Sequence, residues 1–148
     1  MKTTIPVENG DTLGAIQGFL KQLLEMGVVE AILTPLRTPR GAVTPALVSE
    51  PALLAAADPL APVMTHNSAT LAGQLSRREP RPELGAVLRP CELRALVELV
   101  KLKQASLAGL TLIALDCAGT YELTRYYDQG VEDAAGAAPP RRLPLPVP

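Results

Sequence analysis

The stretch Leu84–Leu115, LGAVLRPCELRALVELVKLKQASLAGLTLIAL, decides how this chain folds. It opens with a short apolar run, LGAVL, and closes with another, LTLIAL. Runs of that length, rich in branched residues, read as buried strands. Between them, from about Cys91 to Gln104, apolar residues recur every three or four positions. Leu93, Leu96, Val97, Val100 and, less strictly, Leu99 form one face, with Glu92, Arg94, Glu98 and Lys101 on the other. Glu92 stands at the positive start of this helix, and Lys101 and Lys103 stand near its negative end. Pro90 costs no hydrogen bond at a helix entrance. The pattern is strand–helix–strand, and a crossover of this kind joins parallel strands.

Working toward the N-terminus, NGDTLGAIQGFLKQLLEMG starts as a turn and becomes helical. Leu13, Ile16, Phe19, Leu20, Leu23 and Leu24 carry the spacing, Asp11 or Thr12 can cap the start, and Gly27 can close the end. VVEAILTPL reads as a strand, TPRG as a turn and AVTPALVSE as a second strand. Pro45 places that strand at an edge of the sheet. SEPALLAAAD predicts a short helix with Ser49 as cap and Pro51 in its first turn, and a further helix is expected over Ser68–Arg78. Beyond Cys117, GTYELTRYYDQG holds a helical turn or more. VEDAAGAAPPRRLPLPVP shows no periodicity and five prolines. The expected architecture is α/β: a small, mainly parallel sheet flanked by helices, a C-terminal strand–helix–strand unit, and an irregular tail. We expect one α/β domain over 1–127 and a Pro/Ala-rich, disordered or extended segment over 128–148.

Composition narrows the function. The chain has 148 residues, 47% hydrophobic and 20% charged, which suits a packed domain. Only 3% are aromatic, so the core is built from Ala, Leu, Val and Ile. A net charge of −1 gives no steering toward nucleic acid or an anionic membrane. No membrane span is expected, nor a signal peptide in MKTTIPVENGD, so the expected location is the cytoplasm. The two cysteines, Cys91 and Cys117, are then thiols, metal ligands or redox groups rather than a structural disulfide.

The crossover sets both cysteines beyond the ends of neighbouring parallel strands, where open α/β sheets bind ligands. A cysteine after a strand is commonly only packing. Two of them at matched strand ends, with no others in the chain, favour shared chemistry. A metal, an iron–sulfur cluster and a reversible disulfide all remain open on this pattern.

GAVLRPCELRALVELVKLKQ and LIALDCAGTYE together resemble the N-terminal part of the coenzyme F420 hydrogenase/dehydrogenase beta-subunit family. The likeness is closest to the branch found beside formate dehydrogenase and heterodisulfide reductase-type subunits. NGDTLGAIQGFLKQLLEMGVVEAIL and PVMTHNSATLAGQL are similar to the family's opening turn, helix and strand and to its Pro-Val segment. The resemblance spans about residues 9–122. It implies a flavin and iron–sulfur electron-transfer subunit working with other subunits of an oxidoreductase complex. It implies FAD and a [4Fe-4S] cluster, with Cys91 and Cys117 as two cluster ligands and the others drawn from a later Cys-x-x-Cys. No such motif follows here, where the chain reads AAPPRRLPLPVP. We therefore expect neither cofactor to be bound completely by this chain alone, which is a fragment or a half-site completed by another chain and is not active by itself. The resemblance also directs Gly10, Asp11 and Thr12 to a flavin phosphate, and Asn67 and Ser68 to the flavin's neighbourhood. Helix capping is the plainer role for both groups. His66, the only histidine, reads as a loop residue, Asp116 as a turn residue, and Tyr121, Tyr126 and Tyr127 as an anchor for the tail. Two rival functions stand beside this one: a docking domain that has lost the cluster, and a thiol redox protein using Cys91 and Cys117. A homo-oligomer is compatible with each.

Overall fold

The computed structural model describes residues 4–79 and 82–128. In chain order these form α1 (Thr12–Glu25), β1 (Ala31–Arg37), β2 (Val43–Val48), a short 3-10 helix (Pro51–Ala56), α2 (Ser68–Leu75), β3 (Leu84–Leu88), α3 (Pro90–Lys101), β4 (Leu110–Ala114) and α4 (Leu123–Asp128). The sheet order is β2-β1-β3-β4. β1, β3 and β4 are parallel, and β2 runs antiparallel at one edge. The α/β expectation holds. The Pro/Ala-rich segment lies, apart from Asp128, outside the described residues.

Local chemistry sets the boundaries. Asp11 caps α1 by accepting from the Gly14 N–H at 2.8 Å. A side chain at position 14 would collide with that carboxylate, since a Cβ there would sit 2.2 Å from Asp11 Oδ2. Gly27, at φ +68°, ends α1: its N–H donates to Leu24 and that of Val28 to Leu23, which satisfies two otherwise free carbonyls. Pro35 and Pro45 stand opposite each other in the β1–β2 hairpin. An opposed pair either exchanges both hydrogen bonds or neither, so two prolines fit at a position that exchanges none.

Three expectations shift. The Pro51–Ala56 segment is a 3-10 helix, and its N-cap is Glu50 rather than Ser49, with no side-chain cap bond. The helix expected over Ser68–Arg78 stops at Leu75, where Ser76 Oγ donates to the Gly73 carbonyl. The helix expected over Cys91–Gln104 begins at Pro90 and ends at Lys101, before Lys103 adopts φ +58°.

Each face of the sheet carries its own core. Ile16 and Leu20 of α1 pack with Val29, Ile32, Val48, Leu54, Ala57 and Val87 on one face. On the other, Leu96 of α3 and Ala69 and Ala72 of α2 pack with Leu33, Ala86 and Leu88. After β4 the chain returns over the end of the sheet toward the hairpin. There the Tyr126 ring is buried with Val43, Ala61 and Val63, and Tyr127 Oη accepts from the Val43 N–H. Tyr126 and Tyr127 thus hold α4 against the hairpin, while the tail they were expected to anchor lies outside the described residues. Nearby, Arg37 donates to Asp58 at 2.5 Å. Burial disfavours the Arg37 cation, but Asp58 and Tyr126 together more than offset this, and the Arg37 pKa lies above the ordinary guanidinium value.

Candidate functional site

α1, α2 and α3 each run antiparallel to the parallel strands they precede or follow, so their N-termini gather at the carboxyl edge of the sheet. Helix N-termini carry free N–H groups and positive potential, and such an edge is the usual ligand side of an open α/β sheet.

Both cysteines lie there. Leu88 of β3 pairs with Ala114 of β4. Cys91 is three residues beyond Leu88 and Cys117 three residues beyond Ala114. Both thiols are free and solvent-exposed. Exposure argues against the packing role that a buried cysteine would have. Cys91 is the second residue of α3.

The organiser of this edge is Glu92, which the helical pattern had put on the solvent face. It is buried, at 4% exposure. One oxygen accepts from the Arg89 N–H at 2.9 Å, at the start of α3, and the other accepts from the Ser68 N–H at 2.8 Å, at the start of α2. A single carboxylate thus ties two helix N-termini together, and charge-assisted bonds of this type are strong ones. Arg89, 6% exposed, works beside it. Its guanidinium donates to the Ala61 and Val63 carbonyls, the latter at 3.1 Å. The Tyr121 N–H donates to the Pro62 carbonyl at 2.8 Å, so the returning chain is fixed to the same loop. Neither Arg89 nor Glu92 was singled out from sequence as a site residue. The available signal was a glutamate at the third helical position, the spacing of a capping box.

The other site residues take capping roles. Asp11 is the cap of α1, with Gly10 at φ +74° turning the chain into it and Thr12 as first helical residue. Asn67 caps α2 by accepting from the Ala69 N–H at 2.9 Å, and Ser68, buried, gives its N–H to Glu92. His66 is exposed beside them. These bonds fill the helix starts with the chain's own carboxylates and amide, so a phosphate would find first-turn donors already engaged and a carboxylate at hand. Among the described residues no group of three or more His, Cys, Asp or Glu side chains could hold a metal. Two thiols fit half of a four-thiolate cluster site, and the described residues do not fit a whole one. No described helix is long and apolar enough to cross a membrane.

No family model matches the chain. Over 117 residues it is 31% identical to the F420-dependent formate dehydrogenase 1 subunit beta of Methanococcus maripaludis. That alignment takes in 77% of this chain but 29% of the relative, so the chain spans under a third of the protein it matches. Over most of its length, then, this α/β unit is similar to a part of a formate dehydrogenase beta subunit.

Proposed function

We propose that this chain is an electron-transfer module of the F420 hydrogenase/dehydrogenase beta-subunit type, which docks with other subunits of an oxidoreductase complex and contributes Cys91 and Cys117 to a shared [4Fe-4S] site. One observation carries the reading: two exposed thiols follow the ends of paired parallel strands at the same offset. The similarity to a formate dehydrogenase beta subunit supports it. Glu92 and Arg89 act here as positioning residues. They fix the start of α3, and with it Cys91, against the loop over residues 61–68. If the complex carries an FAD at this edge, Gly10–Thr12 and Asn67–Ser68 would line the surface it meets. Since Asp11 and Asn67 are engaged as caps, their part is to shape that surface rather than to hold a phosphate.

The test is anaerobic reconstitution with iron and sulfide. The chain alone should retain no stoichiometric four-iron cluster. Adding a polypeptide with a Cys-x-x-Cys segment from a formate dehydrogenase beta subunit should produce the visible cluster absorbance, and Cys91→Ser or Cys117→Ser should remove it. Failure of every such partner to restore binding would favour the reading as a docking domain without a cluster. That second reading has an observation of its own, the self-capped helix starts. A Cys91–Cys117 disulfide that forms and breaks reversibly, found by alkylation and mass measurement, would favour the thiol redox protein.

A further inference from the structure

A groove of about 590 Å³ runs between the β1–β2 hairpin and the 3-10 helix, on the face of the sheet that α1 covers. Leu36, Pro39, Ala46, Leu53 and Ala56 form most of its wall. Leu36 pairs with Thr44, a further wall residue, and packs against the α1 core, which fixes the face. The 3-10 side of the groove is held in place. Gln17 of α1 donates to the Ala55 and Ala57 carbonyls, at 3.2 and 2.7 Å, and Leu36 bridges to Ala57. Leu53 stands on this side at 51% exposure.

The described chain stops beside the groove. The Val43 N–H donates to Tyr127 Oη and the Val43 carbonyl accepts from Thr65 Oγ1. The backbone groups of Val43 therefore face away from β1, and Tyr127 lies at the outer edge of β2. α4 ends one residue later, at Asp128, and Thr44, next to Val43, is already part of the groove wall. The residues after Asp128 carry one strongly apolar run, LPLPVP over 143–148, behind Arg141 and Arg142.

We propose that this groove is the docking site of the chain's own residues 143–148. Prolines at every second position have no N–H to leave unsatisfied against an apolar wall. They also favour an extended chain that loses little freedom on binding. At about 3.1 Å per residue such a run covers roughly 19 Å, the length of a six-residue strand such as β2. The stretch over 129–140 can reach about 40 Å, which is ample. Charge sets the direction. Exposed Glu50 stands at the start of the 3-10 helix and exposed Arg40 in the hairpin turn beside Pro39, toward the other end of the groove. Arg141 and Arg142 go to the Glu50 end, and Val147 to the Pro39 end. The covalent link gives the segment an effective concentration of order millimolar, which favours it over the same segment of a second copy. Cys91 and Cys117 follow β3 and β4 and take no part, so the docking holds or fails independently of the cluster.

The test is disulfide trapping in the full chain carrying Cys91→Ser and Cys117→Ser. Leu53→Cys with Leu145→Cys should close within one chain, under oxidised glutathione, at least about tenfold faster than Leu102→Cys with Leu145→Cys. Leu102 is the exposed control, at the end of α3 on the other face of the sheet. Glu50→Arg should slow the closure, and adding Arg141→Glu and Arg142→Glu should restore it. Independently, a full chain with Leu143→Ser, Leu145→Ser and Val147→Ser should bind a separate peptide of residues 141–148 at least about tenfold more tightly than the unaltered chain, whose groove is already filled. Leu53→Lys, at an exposed position, should abolish that binding with the melt unchanged. Equal closure at positions 53 and 102, closure only between two copies, no peptide binding to the serine variant, or binding indifferent to Leu53→Lys would each overturn the proposal.

Discussion

β3 and β4 are the two strands of one strand–helix–strand unit, similar in length and composition, yet they sit in opposite environments. All five residues of β3 are buried, and none of β4 is. β3 lies between β1 and β4 and beneath α2 and α3, so both its edges and both its faces are covered. Among the described residues, β4 has one neighbour and incomplete cover. An apolar run of five thus carries no information on whether it will be central or peripheral. That depends on what the rest of the chain brings to its flanks. The lesson for energetics is that side chains of the same type on the two sides of α3 should differ widely in what they contribute.

The sharpest way to break this contrast is a pair of truncations. Leu96 is fully buried between α3 and the sheet, and Leu96→Ala should destabilise by roughly 2–5 kcal/mol through lost transfer energy and the cavity left behind. Leu112→Ala on β4, already partly in water, should cost under about 1 kcal/mol by area removed. Arg94→Ala, on the exposed side of α3, should cost less still. Denaturant melts of the three would settle it. Equal losses for Leu96 and Leu112 would mean that β4 is as well packed as β3.

A second, smaller effect should come from Glu92. Glu92→Ala leaves the Arg89 and Ser68 N–H groups buried without partners, which should cost about 1–3 kcal/mol. Glu98→Ala removes only an exposed pair with Lys101, where solvent screening leaves at most a few tenths of a kcal/mol. Glu92→Gln keeps the size but replaces one acceptor oxygen with an NH2 donor, so it can serve only one of the two N–H groups. A loss that matches that of Glu92→Ala would show that both acceptors are needed to hold the two helix starts together.

Much of this was legible in the residues, and the exceptions have physical causes. Short apolar runs rich in branched residues located the strands, and a period of three to four residues located the long helices, because burying one face of a helix demands it. Capping chemistry at Asp11, Gly27 and Asn67 was readable because it is local. Glu92 was not. At 3.6 residues per turn it falls at the margin of the apolar face, and only the arrival of α2, from two dozen residues earlier, turns it from a surface charge into a buried double acceptor. Val97 erred in the opposite sense. It fits the apolar stripe but is 44% exposed, on the flank of α3 opposite Leu99, which approaches Gly73 of α2. Arg89 was invisible for the same reason as Glu92, because the carbonyls it binds at Ala61 and Val63 come from a loop that no periodicity places. For the candidate site, the sequence indicated which strand ends the two thiols follow. The self-capping of the surrounding helices depends on tertiary contacts.

The weakest expected effect is also the one that separates a site from a core. Cys91→Ser and Cys117→Ser alter exposed side chains for which no hydrogen bond or core contact is described, so each should change stability by less than about 0.5 kcal/mol. Both thiols should react with an alkylating reagent in the folded protein at rates close to those of the denatured chain. Replacing either by serine at no cost to the melt, while abolishing cluster formation with a complementing partner, would show that these positions are kept for chemistry and not for packing. A loss above about 1 kcal/mol at Cys117, or its protection from alkylation, would instead make it a structural residue covered by the chain returning toward α4, and the half-site would reduce to a single thiol.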